Sequence, residues 1–435
     1  MATGLRAVRR AGPVVPVAFL VAMLALPLGA GGEGSGGTPA DAVSGLVVIF
    51  CAVRAVRQRQ RPLGRTALIV LGLPVIAVAA AALGADSPAN AFEGMARYYQ
   101  ILVLVPAAVL LLVRDHDDFR TVAWALVGLG LWEGSIGVYQ YLTGTGASYA
   151  GEDIRAVGTF GATDVMGMST VVAYGLVCAV ALALGGGRAR VRITALVCAL
   201  GLVVPLALSF SRGAWIATAV VCVLQIVLGG VRRAARLLAA AVAAAIVLVG
   251  GFGVGTSMLQ ERLSSITQVT AAPDQSVTDR YTMWAAAIDM WEEHPATGVG
   301  LKNFPAYRDG HASIALSAGS DVAGAGASFR RQPLLSPHNM YLLILSEQGL
   351  LGLCAITGAW AAMLVLGARR LVTAHRRGRG LDCALIACGL LTWQLIDFVY
   401  ADIGGPSTVL TSVVFGLAAW WALSSAALPG AADKR

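Results

Sequence analysis

Charge is scarce in this chain: 13% of its 435 residues are Asp, Glu, Lys or Arg, and five are His. An ordinary soluble domain carries about 25% charged residues, so the deficit excludes a water-soluble globular fold. Several catalytic signatures are missing as well. There is no Gly-x-Ser-x-Gly elbow and no His-Glu-x-x-His helix, which leaves hydrolase readings without a motif. No Cys-x-x-Cys pair occurs. None of the seven cysteines (Cys51, Cys178, Cys198, Cys222, Cys354, Cys383, Cys388) falls in the long polar stretch of the chain. That excludes a disulfide framework and a zinc spacing, and the cysteines read as small packing residues. Gly298-x-Gly300 lacks the helix and Lys-Ser/Thr context of a phosphate loop and reads as a turn.

What is present is apolar. Hydrophobic residues make up 57% of the chain, and its mean hydropathy is +0.73. A membrane helix needs roughly 20 apolar residues. Twelve segments qualify, at approximately 13–30, 40–56, 65–85, 98–113, 120–142, 160–184, 192–209, 213–230, 235–256, 345–368, 382–401 and 405–426. The expected fold is therefore an all-α polytopic membrane protein of about twelve spans. Its parts are an N-terminal membrane bundle over 1–256, a large extracytoplasmic loop over 257–337 and a C-terminal bundle over 338–435.

The net charge of +8 follows from arginine-rich inner loops rather than from nucleic-acid binding. With the N-terminus inside, 23 of the 32 basic residues fall on the inner side, at every loop expected there. Both termini are then cytoplasmic. Arg6 to Arg10 followed by an apolar run resembles a secretory signal, but no clean small-x-small site precedes the Gly-rich turn, so an uncleaved first helix is expected.

The long outer stretch carries its own structure. Thr278 is a plausible helix N-cap with Asp279 in the first turn. Tyr281, Trp284, Ala285, Ile288 and Trp291 then recur at helical spacing and mark one apolar face, with Trp suited to a lipid–water interface. Pro295 ends that helix, Gly298 to Phe304 make a turn, and 311–328, rich in Ala, Ser and Gly, read as mobile.

Four pieces in order give the sequence a resemblance. They are Ser209-Phe-Ser-Arg212-Gly213-Ala-Trp215; Arg280-Tyr-x-x-Trp284 with His294-Pro-x-x-Gly298-Val-Gly300-x-x-Asn303-Phe304; Pro337-His338-Asn339-x-Tyr341 with Glu347-x-Gly349-x-x-Gly352; and the weaker Arg155-Ala-Val-Gly158-Thr-Phe160. Together they resemble the O-antigen ligase and O-antigen polymerase-like membrane glycosyltransferases. Where that family often has Asn after Gly-Thr-Phe, this chain has Ala162 and Asp164.

The resemblance implies glycan transfer from an undecaprenyl diphosphate donor to an acceptor hydroxyl on the outer face, with no metal or other cofactor. It implies His338, Arg280 and Arg212 as catalytic residues, and Arg155, Lys302, Asn339, Tyr341 and Glu347 as substrate-binding ones. The expected partners are the lipid diphosphate-linked donor, a glycan or lipid acceptor and membrane lipids, without nucleic acid.

The residues suit this chemistry. Arginine gives fixed, bidentate contacts to a diphosphate that gains charge as it leaves, and an arginine at a membrane boundary is a functional candidate. The bland alternative for Arg212 is snorkelling to the interface. His338 titrates near working pH and can accept the acceptor's proton; alternatively it is a polar helix-start residue. Glu347, nine residues on, falls on the opposite helix face and about 13.5 Å further along. An unbroken helix would therefore pair His338 with the arginines rather than with a carboxylate. Residues 349–368 suffice for a span, so 338–348 are expected outside it or along the interface.

Asp115-His116-Asp117-Asp118 imitates an acidic metal site but is expected inside, at a helix start, where acids cap. His294 and His311 read as solvated loop residues. Asp397 and Asp402 either bind sugar or mark a helix end. Ligase and polymerase remain equally open. A non-enzymatic transporter of lipid-linked glycan is the other class, though neither an internal repeat nor a midplane charge network supports it.

Overall fold

The computed structural model of the chain describes residues 12–26, 38–58, 63–149, 156–164, 166–230, 235, 239, 275–317, 320–324, 327–332, 334–403, 405 and 407–427. The order is α1 (Val15–Met23), α2 (Pro39–Gln58), α3 (Arg65–Ala82), α4 (Pro88–Tyr99) running through a π-turn (Gln100–Leu104) into α5 (Val105–Leu112), and α6 (His116–Thr143). Then come β1 (Ala147–Tyr149), a 3-10 turn (Gly158–Asp164), α7 (Gly167–Leu184), α8 (Ala189–Leu208) and α9 (Arg212–Gly229). After these follow α10 (Gln275–Glu293), α11 (Phe304–His311), β2 (Ser320–Gly324), β3 (Ala327–Gln332), α12 (Met340–Arg377), α13 (Leu381–Asp397) and α14 (Thr408–Leu423).

Among the described residues, eight helical stretches are long and apolar enough to cross a membrane, and the shorter Thr408–Leu423 is apolar too. Every expected span has a helix except 235–256, which lies almost wholly outside the described residues, as do Arg155 and residues 257–274. The helical class holds. One small sheet is added to it: β1, β2 and β3 form an antiparallel sheet with Ala147 opposite Gly324 and Val322 opposite Arg330. Segment 311–328, expected to be mobile, thus contributes β2 and the start of β3, and β1 ties the loop after α6 to the loop before α12.

Helix α7 is the hub of the bundle. It packs against α6, α8, α9 and α13, and nearly every residue from Gly167 to Leu184 is buried. Small residues let the backbones close up: Gly130 of α6 lies against Gly175 of α7, the usual way membrane helices pack without a hydrophobic drive between them. A second core joins α3 and α4 to α10 and α12, through Val78, Tyr98, Met283, Met290, Phe304, Ile344 and Trp360.

The contacts sort the connecting segments into two ends. At one end, Arg120 pairs with Asp382, Gly185 lies against Asp382 and His116 against Gly380. At the other end, Arg97 binds the carbonyls of Ile403 and Gly405, Asp164 accepts from the Ser407 amide, and Gly300 packs on Gly84. These are the groups that the charge count assigns to the inner and outer sides.

Inside the first end, the Asp-His-Asp-Asp run is structural. Asp115 caps α6 by accepting from the Asp117 and Asp118 amides, Asp118 pairs with Arg114, and Asp117 pairs with Arg120.

Candidate functional site

The end that the charge count assigns to the outer side is organised around a break in α12. Gly349 has φ 62° and ψ −164°, a region essentially reserved for glycine. The segment 340–348 is therefore a separate short helix ahead of the long 350–377 span, as the sequence spacing had allowed. Breaking a helix frees backbone groups that need partners. Here the 295–300 turn supplies them. Leu350 and Leu351 donate to the carbonyls of Pro295 and Ala296, while Val299 and Gly300 donate to those of Ser346 and Glu347.

Such insertion needs bare backbone. A methyl group on Gly298 would overlap the Glu347 carbonyl carbon, one on Gly349 would overlap Ala296, and one on Gly300 would overlap Gly84. Gly298 and Gly300 also have positive φ, at 68° and 100°. The Gly-Val-Gly and Glu-x-Gly motifs, fifty residues apart in sequence, are two halves of one joint.

Glu347 belongs to that joint. Its carboxylate is buried, 3% exposed, and accepts from the Phe304 amide at 3.3 Å. Lys302 is exposed and pairs with Glu93 at 3.1 Å. Asn339 caps the short helix by accepting from the Tyr341 and Leu342 amides, and the Tyr341 hydroxyl donates to the Leu395 carbonyl at 2.7 Å. Four of the five residues expected to bind substrate therefore have protein partners, and the fifth, Arg155, lies outside the described residues.

His338 sits just before this cap, with φ +48°. That left-handed conformation is uncommon for a residue other than Gly and is held by its surroundings. On one side the Trp284 indole N–H donates to the Pro337 carbonyl at 2.8 Å. On the other, the Met340 amide donates to the carbonyls of Phe398 and Ala401. The imidazole Nδ1 lies 3.8 Å from Oδ2 of Asp402, and the Ser336 hydroxyl donates to the same carboxylate oxygen. The expectation that His338 works without a carboxylate is corrected: the acid comes from the loop after α13 and not from Glu347. Burial pushes the His338 imidazole below its ordinary pKa; the Asp402 charge opposes this, and Arg280 reinforces it.

Arg280 and Arg212 approach from two other elements. Arg280 is on the first half of α10, which begins at Gln275 rather than at Thr278. Asp279 does not serve the helix end but accepts from the Ser317 amide and hydroxyl. Arg280 acts electrostatically on both His338 and Tyr400. Arg212 opens α9, whose cap is the Ser211 hydroxyl accepting from the Ala214 amide. Its neighbour Gly213 is bare because the Tyr400 ring lies flush on it. Tyr400 thus lies against the Ser-Arg-Gly helix start, within the electrostatic reach of Arg280, which also reaches His338.

The Gly158-Thr-Phe160 element sits at the same end, in the 3-10 turn whose Asp164 meets Ser407. Glu133 accepts from the Thr159 amide and hydroxyl, each at 2.8 Å, and Gln140 binds both the Gly158 amide and its carbonyl. Asp164 ends the same 3-10 turn, and its carboxylate accepts from the Ser407 amide at 3.2 Å. Of the two loop histidines, His294 is exposed. His311 is not solvated: it contacts the Tyr307 carbonyl at 2.8 Å and Glu293 at 3.2 Å.

Sequence reasoning missed Tyr400, Ser336 and the clamping role of Trp284. It named Asp402 without a partner. No spacing rule could have found Tyr400, whose neighbour in space is 187 positions away by the difference of the two numbers in the chain; Asp402 did carry a signal, as an acid at the outer end of an apolar segment.

Helices long and apolar enough to cross a membrane, with a strained histidine beside an acid at one end of them, define the class as a multi-pass membrane protein with a polar site at that end. Residues 195–357 match the family model described as O-Antigen ligase, so that part of the chain is similar to the O-antigen ligases. A comparison with curated proteins gives no match. The matched region runs from α8 to the span after Gly349 and takes in Arg212, Arg280 and His338.

Proposed function

We propose that the protein transfers a glycan from an undecaprenyl diphosphate-linked donor to an acceptor hydroxyl on the outer face of the cytoplasmic membrane. The observation that carries this reading is that His338 beside Asp402, Arg280 within electrostatic reach of His338 and Tyr400, and the α9 start opened by Arg212, whose Gly213 touches Tyr400, come from three separate parts of the chain.

The acceptor O–H attacks the anomeric carbon of the donor. As the new C–O bond forms, the bond from that carbon to the diphosphate breaks, and undecaprenyl diphosphate leaves with the electron pair. His338 takes the acceptor's proton; its depressed pKa keeps it neutral and ready to do so at pH 7. Arg280 and Arg212 stabilise the charge gained by the leaving diphosphate. Asp402 orients the imidazole and steadies the imidazolium once the proton has moved.

Polymerase chemistry uses the same groups, differing only in taking the acceptor from a second donor-linked chain. The test is purified protein in nanodiscs with a lipid diphosphate-linked oligosaccharide. Transfer to an added acceptor supports ligation, a ladder of products without one supports polymerisation, and transfer undiminished by His338→Ala removes the proposed base.

A further inference from the structure

Helix α10 packs through its Met-Ala face and leaves much of its aromatic face uncovered. Asp279, Met283, Ala286, Ala287 and Met290 are buried, whereas Tyr281 is 56% exposed and Ile288 40%. Trp284 is half-buried, and its indole N–H is tied to the Pro337 carbonyl. The Tyr281 and Trp284 rings stand edge to face, with centroids 5.6 Å apart and planes at 86°. The helix therefore presents a fixed two-ring corner that its own core does not need, beside the loop that carries His338.

The register of the corner says what fits it. Trp284 follows Arg280 by four residues, which puts it about 6 Å along the helix and only about 40° around it. A diphosphate drawn to Arg280 would place the next unit of the donor against Trp284, and that next unit is a sugar ring. Trp284 is also one hydrogen bond from the residue preceding His338, so a ring seated there lies between the leaving group and the base. The faces of pyranose rings bear C–H groups with partial positive charge, which complement the negative face of an aromatic ring.

We infer that Tyr281 and Trp284 form the subsite for the sugar bonded directly to the diphosphate of the donor, holding its anomeric carbon between Arg280 and His338. This rests on the glycosyltransferase reading above. A membrane-surface role for the same rings would require them to hold lipid and not sugar, and the chemistry of two probes separates the cases.

The experiment is calorimetric titration of the full chain in nanodiscs with a short-chain polyprenyl diphosphate bearing one sugar, and with the same polyprenyl diphosphate without it. Tyr281→Ala and Trp284→Ala should each weaken the sugar-bearing probe about fivefold to tenfold, the worth of one aromatic contact, and leave the bare probe unchanged. Trp284→Phe keeps a ring face and should restore most of the lost affinity, which a variant that merely misfolds would not do. Equal weakening of both probes, or weakening of neither, overturns the subsite while leaving the enzyme reading intact. A wild-type chain that binds neither probe overturns the enzyme reading and the subsite with it.

Discussion

Nδ1 of His338 stands 3.8 Å from Oδ2 of Asp402, although 64 positions, the difference of their numbers, separate them in the chain. The distance exceeds a hydrogen bond. It is nonetheless short enough for the carboxylate to set the ring's orientation, with the Ser336 hydroxyl pinning the same carboxylate oxygen. The strained backbone at His338 belongs to the same arrangement. Clamps at Pro337 and Met340 hold the imidazole out of the helix it precedes.

That strain separates function from folding. Glycine adopts φ +48° without penalty, so His338→Gly should leave the melting temperature of the detergent-solubilised protein unchanged or slightly higher. Loss of a general base should lower transfer about 10²- to 10⁴-fold. A matched drop in melting temperature would show the residue to be structural.

The pH profile should carry the signature of the cluster. His338 is held below 6.5, and transfer needs its neutral form. The rate kcat/KM should therefore be flat near neutrality and fall only below that value. Removing the Arg280 charge in Arg280→Gln should move the acid limb to higher pH, because a depressing charge is gone. Asp402→Asn should move it to lower pH, because a raising charge is gone. Shifts in the same direction for both variants would contradict the arrangement.

The joint between the 295–300 turn and the helix break should be intolerant of a single methyl. Gly298→Ala and Gly349→Ala force side chains into the neighbouring backbone at conformations costing on the order of 1–3 kcal/mol for a non-glycine residue. Both should lower the melting temperature by several degrees and reduce transfer. Gly358→Ala, with open space around it, is the matched control and should change neither.

Contact between Gly213 and Tyr400 predicts a compensating pair. Gly213→Ala pushes against the Tyr400 ring and should displace Arg212 and raise the KM for the lipid-linked donor. Adding Tyr400→Ala clears the space, so the double variant should recover part of that loss. Strictly additive losses would place the two residues apart.

The helical class, the apolar spans and the sorting of loops were legible in the sequence because membrane insertion acts on local averages of hydropathy and arginine. The break near Glu347 was half-legible. Helix geometry showed that His338 and Glu347 could not share a face, and the segment 349–368 was already long enough to span. The apolar aromatic face of α10 was legible as a stripe, but the Met-Ala stripe has the same 3.6-residue period, and only the tertiary structure showed that the Met-Ala stripe is the buried one.

The sequence by itself determined that this chain has many segments long and apolar enough to cross a membrane, and its charge count assigns Arg212, Arg280 and His338 to one side of them. Only the tertiary structure decided that Asp402 faces His338, that Tyr400 rests on Gly213, and that the glycines at 298, 300 and 349 form a single joint. The physical reason is that hydropathy is a property of a stretch. Those three relationships are backbone and ring contacts between segments far apart in the chain, fixed only when each freed carbonyl and amide has found its partner.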